Sequence, residues 1–131
     1  MLASSDDRRM EDTDMPHIIL EYSSNLGNAS GLSRLLDRLH QALGDTESFE
    51  SERIKSRAVR TETFHVGADR RGFVHATVLF SPGRPDALRR QVGRRLIDIM
   101  RSDATLGAAD VATSVEIRQF EPGMYITERD L

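Results

Sequence analysis

The feature that most constrains the fold of this chain is an internal repeat. Residues 15–23 match residues 73–81 at a constant offset of 58, which pairs His17 with His75. The order of the elements that follow also repeats, as a strand, a loop, an amphipathic helix and a second strand. Repetition of sequence and of element order together indicates a duplicated β-α-β unit.

Each unit contains one amphipathic helix. In the first unit leucines recur at spacings of three and four between Leu32 and Leu43, which is the spacing of one helix face. Ser30 is the expected N-cap of this helix and Gly44 its expected end. In the second unit the apolar face consists of Leu88, Val92, Leu96, Ile99 and Met100.

The two units, at about residues 16–66 and 73–120, predict one α+β domain spanning residues 16–131. Their closing strands are predicted at residues 54–66 and 114–120. The expected architecture is a four-stranded sheet with both helices on one face. The other face is then left uncovered, and a cyclic oligomer is the simplest way to cover a repeated surface.

Residues 1–15 differ in character from the rest of the chain. They carry five acidic and two basic residues, a net charge of −3, whereas residues 16–131 are neutral with 16 charges of each sign. This acidic extension shows no hydrophobic period, so we expect it to be disordered. A neutral body argues against nucleic-acid binding, which depends on an excess of cations.

Composition excludes several further classes. No apolar run approaches the roughly 20 residues that span a bilayer, and no secretory signal is present, so a cytoplasmic location is expected. The chain has no cysteine, which removes disulfides and cysteine-based zinc sites. His40 and His65 lack a second ligand at metal-binding spacing, so no metal site is expected.

The basic residues are also unusual. Of the 18, 17 are arginine, and Lys55 is the only lysine. This ratio is typical of genome composition, and the one retained lysine is a mild indication of a site that needs an amine.

Four short motifs, in order, carry a resemblance to a known family. They are MPHIILEYSSNL at residues 15–26, IKSR at 54–57, FVH at 73–75 and SPGR at 81–84. Together they resemble the 5-carboxymethyl-2-hydroxymuconate Δ-isomerases of the tautomerase superfamily. The resemblance extends from residue 15 to about residue 120.

This resemblance implies a tautomerase or MIF-like fold, a homotrimer and a cofactor-independent isomerase of the intramolecular oxidoreductase type. The implied reaction moves a proton on 5-carboxymethyl-2-hydroxymuconate in homoprotocatechuate degradation, on a small dicarboxylate dienol or 2-keto acid. An amino-terminal proline acts as general base, and this role falls on Pro16. A chain-terminal proline is a secondary amine, and an apolar pocket with nearby cations brings the pKa of such an amine towards neutrality.

Three cations are the candidates for substrate binding. Arg84 could clamp a carboxylate with two parallel hydrogen bonds, and Lys55 could neutralise a second carboxylate or the developing enolate. Relatives often carry arginine at the position of Lys55. Lysine keeps the charge but lacks the planar guanidinium group, which can form two parallel hydrogen bonds. Arg57, on the same predicted strand, is the spare candidate.

Each of these residues also has a purely structural interpretation. Pro16 could be the first residue of an edge strand, where a missing N–H is harmless. Arg84 could be a solvated turn residue, and Lys55 and Arg57 could be strand residues facing water. The equivalent positions of His17 and His75 indicate a shared packing or hydrogen-bonding role, while Phe80, Phe120 and Tyr22 are typical core residues.

As the chain is written, Pro16 is internal, and its nitrogen would be an amide. Either translation begins at Met15, so that the first fifteen residues are a mis-assigned start, or the extension is real. In the second case the protein would be a poor or inactive isomerase unless it is trimmed to Pro16.

Two other functions remain open at this point. The first is a tautomerase of a different 2-hydroxydienoate or of an arylpyruvate enol. The second is a catalytically silent trimeric binding protein that has kept the fold.

Overall fold

A four-stranded mixed sheet carries two helices on one side. The computed structural model describes residues 16–46, 51–67, 69–104, 106 and 108–131, so the disorder expected for residues 1–15 falls outside the described residues. The elements are β1 (His17–Ser23), α1 (Ala29–Gly44), β2 (Lys55–Thr61), β3 (Gly72–Phe80), α2 (Asp86–Ser102) and β4 (Val111–Gln119), with short 3-10 turns at Ser51–Arg53 and Glu128–Asp130.

The strand order is β2-β1-β3-β4. Strands β1 and β2 are parallel, as are β3 and β4, and the two pairs meet where β1 and β3 run antiparallel. Parallel neighbours need a crossover connection, and α1 and α2 provide the two crossovers. The predicted α+β architecture of two β-α-β units sharing one sheet is therefore confirmed.

The hydrophobic core lies between the sheet and the helices. Alternate residues of β1 and β3 face it, because successive side chains of a strand point to opposite sides of the sheet. The helices contribute the leucine face of α1 and the apolar face of α2. The largest fully buried side chains are those of Phe80, Ile18, Leu20, Leu26, Leu35, Leu39, Leu43, Leu96, Met100, Leu106, Val74 and Val78. Within the described ranges neither helix has the length and apolar character to cross a membrane.

The structure corrects three predicted boundaries. The N-cap of α1 is Asn28 and not Ser30, because the Asn28 side chain accepts a 2.7 Å hydrogen bond from the Gly31 N–H. Strand β2 ends at Thr61 and not near Val66, since Thr61 pairs with the last residue of β1.

The third correction is at β4, which begins at Val111 and not Ser114, because Gly72 of β3 already pairs with Val111. In both cases the boundary of the strand is set by the length of the strand that it pairs with. The residue propensities of a strand do not reveal where its partner begins or ends.

The face of the sheet away from the helices is a mixture of apolar and charged side chains. In register across it lie Lys55, His17 and Leu79, and one step along lie Arg57, Ile19 and Thr77. Val59 of the edge strand β2 is 41% exposed on this face. The expectation that the helices leave one face of the sheet open is thus met in the described chain.

Candidate active site

Pro16 is buried and lies at the end of the sheet where β1 begins. Because β1 is paired on both sides, Pro16 does not begin an edge strand, contrary to the structural interpretation above. Its carbonyl oxygen accepts a hydrogen bond of 3.0 Å from the Lys55 N–H. This bond is the first rung of the parallel pairing between β1 and β2. It fixes the first residue of β2 directly beside Pro16.

Lys55 and Arg57 share one face of β2. The register pairs Lys55 with His17 and Arg57 with Ile19, and residues two apart on a strand point the same way. Both side chains are exposed. The structure therefore places two cations side by side, next to the strand that begins after Pro16.

His17 connects this cation pair to the rest of the site. Its imidazole is half-buried, and burial lowers its pKa, with further lowering by the charges of Lys55 and then Arg57. The same ring forms a hydrogen bond of 2.9 Å between Nε2 and the hydroxyl of Tyr125. The ring is therefore held by Tyr125 and lies within electrostatic reach of both cations.

Three rings close this side of the site. The Phe120 and Tyr125 rings stack with centroids 4.5 Å apart and an interplanar angle of 24°. The His17 ring meets both of them edge-on, at 6.0 Å from Phe120 and 5.5 Å from Tyr125. The prediction of Phe120 as a core residue is wrong, because β4 turns its side chain to the open face; Phe80 and Tyr22 do pack in or against the core.

Arg84 lies in the turn that follows β3. The turn needs Gly83, whose φ of +97° is a backbone conformation that side chains disfavour. Because His17 pairs with Leu79, near the end of β3, the turn leaves the sheet at the same end of the strands where Pro16 lies. Arg84 is half-buried, and burial lowers the pKa of its guanidinium.

The structure thus brings Pro16 close to the strand that carries Lys55 and Arg57, and it puts Arg84 at the same end of the sheet as Pro16. Tyr125 is the residue that sequence reasoning missed. It stands in a tail assigned no role, 108 residues from its partner His17. No local pattern marks it, apart from being an aromatic residue shortly after a Pro-Gly turn.

A separate open groove of about 630 Å³ lies between the beginning of β4 and the end of α2. It is lined by residues that include Arg70, Ile97, Arg101 and Val111, and it contains none of the predicted site residues. Among the described residues, no group of three or more His, Asp or Glu side chains is arranged to hold a metal ion.

Fold and site together define a class of protein. Solved structures of tautomerase and macrophage migration inhibitory factor-like proteins share this arrangement of two β-α-β units, so the expected fold class is confirmed. The family model for 5-carboxymethyl-2-hydroxymuconate isomerase matches residues 16–130. The chain belongs to that isomerase family.

Individual proteins agree with this assignment. The chain is 26% identical over 121 residues to 5-carboxymethyl-2-hydroxymuconate Delta-isomerase of Escherichia coli, covering 89% of this chain and 96% of that protein. It is similar to the crystal structure of a 5-carboxymethyl-2-hydroxymuconate isomerase from Deinococcus radiodurans R1, with a TM-score of 0.74, 24% identity and coverage of 88% and 90%.

A third similar structure is a fused 4-OT protein described as a symmetric trimer. Its TM-score is 0.70 at 14% identity, with coverage of 88% of this chain and 94% of that one. At this identity the likeness concerns the fold alone.

Proposed function

We propose that the polypeptide beginning at Pro16 isomerises 5-carboxymethyl-2-hydroxymuconate, converting the 2-hydroxydienoate to the 2-oxo-enoate in homoprotocatechuate degradation. The observation that carries the proposal is the contact between Pro16 and the cation-bearing strand β2. The backbone carbonyl of the buried Pro16 accepts a hydrogen bond from the backbone N–H of Lys55, and Arg57 lies on the same face of β2 as Lys55. The match to the family model also starts at Pro16.

Pro16 is the general base in this proposal. At a chain terminus its nitrogen is a secondary amine, and burial beside cations lowers the pKa of such an amine. The amine takes the proton of the 2-hydroxyl group, the double bonds shift along the chain, and a carbonyl forms at the former enol carbon. The protonated proline then returns the proton to a carbon further along the conjugated system. The product is therefore an isomer of the substrate, and the proline amine is regenerated.

The cations bind and polarise the substrate. Lys55 and Arg57 attract carboxylates to the mouth of the site, and a point charge beside the enol oxygen stabilises the negative charge that develops there. Arg84 supplies a planar fork suited to a carboxylate. The carboxymethyl group adds a carboxylate to the two of muconate, so this substrate carries three carboxylates, one more than the dicarboxylate expected above. Each of the three cations therefore has a carboxylate or the enol oxygen to bind.

The active assembly in this proposal is a homotrimer. The face of the sheet opposite the helices carries apolar side chains such as Ile19 and Val59, and Val59 is 41% exposed. A cyclic arrangement covers such a face in every copy at once. The similar fused 4-OT protein, described as a symmetric trimer, supports this part of the proposal. Sedimentation equilibrium of the purified protein would measure the assembly directly.

The decisive experiment compares three polypeptides: the form beginning at Pro16, the same form carrying Pro16→Ala, and the full chain. The described fold lies within residues 16–131, so the short form contains all of it. Decay of the dienol absorbance of the substrate gives kcat and KM. We expect rapid turnover by the short form and a loss of at least about 100-fold in the other two. Equal rates for the full chain and the short form would contradict the proposal.

Substrate choice is measured on the same short form. Initial rates with 5-carboxymethyl-2-hydroxymuconate are compared with those for 2-hydroxymuconate and for an arylpyruvate enol. An equal or higher kcat/KM for the arylpyruvate would move the function to another tautomerase. No proline-dependent turnover of any of them would indicate a silent binding protein. Amino-terminal sequencing of protein from its native host would show whether Pro16 is the natural terminus.

A further inference from the structure

The three-ring cluster of His17, Phe120 and Tyr125 lies beside the proposed base and has no role in the chemistry described so far. We infer that Tyr125 is a substrate-binding residue: it anchors the C-terminal tail against His17, the residue after Pro16, and its ring forms part of an apolar wall for the conjugated carbon chain of the substrate. This inference rests on the proposed function for the identity of the substrate.

The anchor has two separable parts. The Tyr125 hydroxyl is hydrogen-bonded to His17 Nε2 at 2.9 Å. Its ring stacks on Phe120 at 4.5 Å, and Phe120 follows directly from the end of β4. One contact therefore ties the tail to β1, and the other ties it to β4.

Burial along the tail shows that Tyr125 is the point of attachment. Tyr125 is partly buried, whereas its neighbours Met124 and Ile126 are 65% and 69% exposed. Those neighbours are apolar side chains of comparable size that do not hold the tail down. They are matched controls for Tyr125, because a change at either alters the same segment without touching the cluster.

The position of the wall suits a carboxylated, conjugated ligand. His17 lies in register between Lys55 on one side and Leu79 on the other. A conjugated chain lying against the Tyr125 and Phe120 rings can present its carboxylates to Lys55 and Arg57. Apolar ring surface with a few convergent cations is the usual composition of a small-molecule site.

The proposal separates binding from chemistry. The wall contacts the substrate before and after proton transfer alike, so its loss should raise KM and leave kcat nearly unchanged. A merely structural tail would instead lower the melting temperature and the fraction of active protein, with KM constant. The same wall should bind cis,cis-muconate, a dicarboxylate without the hydroxyl that reacts.

The test uses the form beginning at Pro16 with Tyr125→Phe, Tyr125→Ala, Met124→Ala and Ile126→Ala. Tyr125→Phe keeps the stack and loses the hydrogen bond, so we expect KM and the Kd of cis,cis-muconate to rise about two- to tenfold. Tyr125→Ala loses both contacts, and we expect a rise of about 10- to 100-fold. In both variants kcat should stay within about threefold, and the two controls should match the parent.

Hydrogen exchange supplies a readout that does not need turnover. The Met124 N–H donates to the Glu121 carbonyl at 2.9 Å, and this amide should exchange faster in Tyr125→Ala than in Ile126→Ala. Equal KM, equal muconate affinity or equal exchange in Tyr125→Ala and the controls would overturn the inference.

The result also distinguishes this inference from the proposed function. If the parent form has no proline-dependent turnover, the proposed function fails. The inference is then tested only by the Kd of cis,cis-muconate in the parent and the Tyr125 variants. If the parent binds no muconate either, both fail. If the parent turns over normally and Tyr125→Ala behaves like the controls, only the inference fails.

Discussion

The first strands of the two β-α-β units begin from matching sequences and end in different surroundings. His17 and His75 occupy equivalent positions on β1 and β3. His17 bonds to Tyr125 and lies near Lys55 and Arg57, whereas His75 bonds to the Ser114 hydroxyl at 2.7 Å and lies 3.7 Å from a Glu116 carboxylate oxygen. The neighbouring strand decides the outcome, since β2 brings cations and β4 brings a hydroxyl and an acid.

The loops that follow these two strands also lie in different surroundings. Leu26 follows β1 and is buried in the core, while the equivalent residue after β3 is Arg84, at the end of the sheet where Pro16 lies. One copy of the duplicated unit thus supplies a packing residue where the other supplies a candidate binding residue. The comparison predicts that substitutions at equivalent positions affect activity in one unit and stability in the other.

The largest difference is expected at Pro16 and its equivalent, Val74. In the form beginning at Pro16, Pro16→Ala should lower kcat by about 10²–10⁴-fold, because a secondary amine and its fixed direction are lost. Val74→Ala opens a small cavity in the core and should cost about 2 kcal/mol of unfolding free energy with little change in kcat. Steady-state kinetics and urea denaturation measure both. A Pro16→Ala variant that is as active as Val74→Ala would remove Pro16 from the mechanism.

Arg84 and Leu26 are the next pair. Arg84→Ala should lower kcat/KM by about 10- to 100-fold, because a carboxylate loses a charge-assisted partner. Leu26→Ala should instead destabilise the fold by about 3 kcal/mol. Arg90→Ala, an exposed change on α2, is the control for loss of an arginine. An effect on kcat/KM no larger than that of the control would make Arg84 an ordinary turn residue.

On β2, Lys55→Ala should lower kcat/KM by about tenfold or more. Arg57→Ala should lower kcat/KM by a smaller factor than Lys55→Ala. Arg60 is the matched control, because it is exposed on the same strand, on the opposite face, and is paired with Glu62 at 3.1 Å. Lys55→Arg should keep most of the activity if charge alone matters. Kinetics at two salt concentrations would check the assignment, since exposed charges lose their effect as salt rises.

The equivalent histidines should respond differently to the same substitution. His17→Asn breaks the contact with Tyr125, and we expect kcat/KM to fall about three- to tenfold. His75→Asn should stay within about twofold, because its partners lie away from Pro16. Equal effects of the two substitutions would mean that the surroundings of His17 have no bearing on activity.

The smallest effect concerns pH. Because the folded state lowers the pKa of His17, the unfolded chain binds this proton first as the pH falls. The contribution of His17 to stability is therefore complete above its unfolded pKa of about 6.5, and it is lost as the pH falls towards the folded pKa. Between pH 7.5 and 5 the melting temperature of the parent should fall further than that of His17→Asn, which calorimetry can measure. A larger loss in the variant would contradict the sign.

Prediction from sequence succeeded where the signal is local or repeated. The leucine spacing between Leu32 and Leu43 identified α1, and the repeat gave the second unit from the first. It failed where a partner strand sets the answer, as at the end of β2 near Thr61 and the start of β4 at Val111. The prediction that Phe120 is a core residue was wrong for the same reason.

The duplicated fold, the family and the set of candidate residues could all be predicted from the sequence, because helix periodicity, strand alternation and short motifs depend on neighbouring positions. The tertiary structure alone decided that Lys55 lies against His17 and that Tyr125, 108 residues further along, bonds to the same ring. Register and long-range contacts depend on how all four strands and the tail pack at once. No single segment of the chain contains that information.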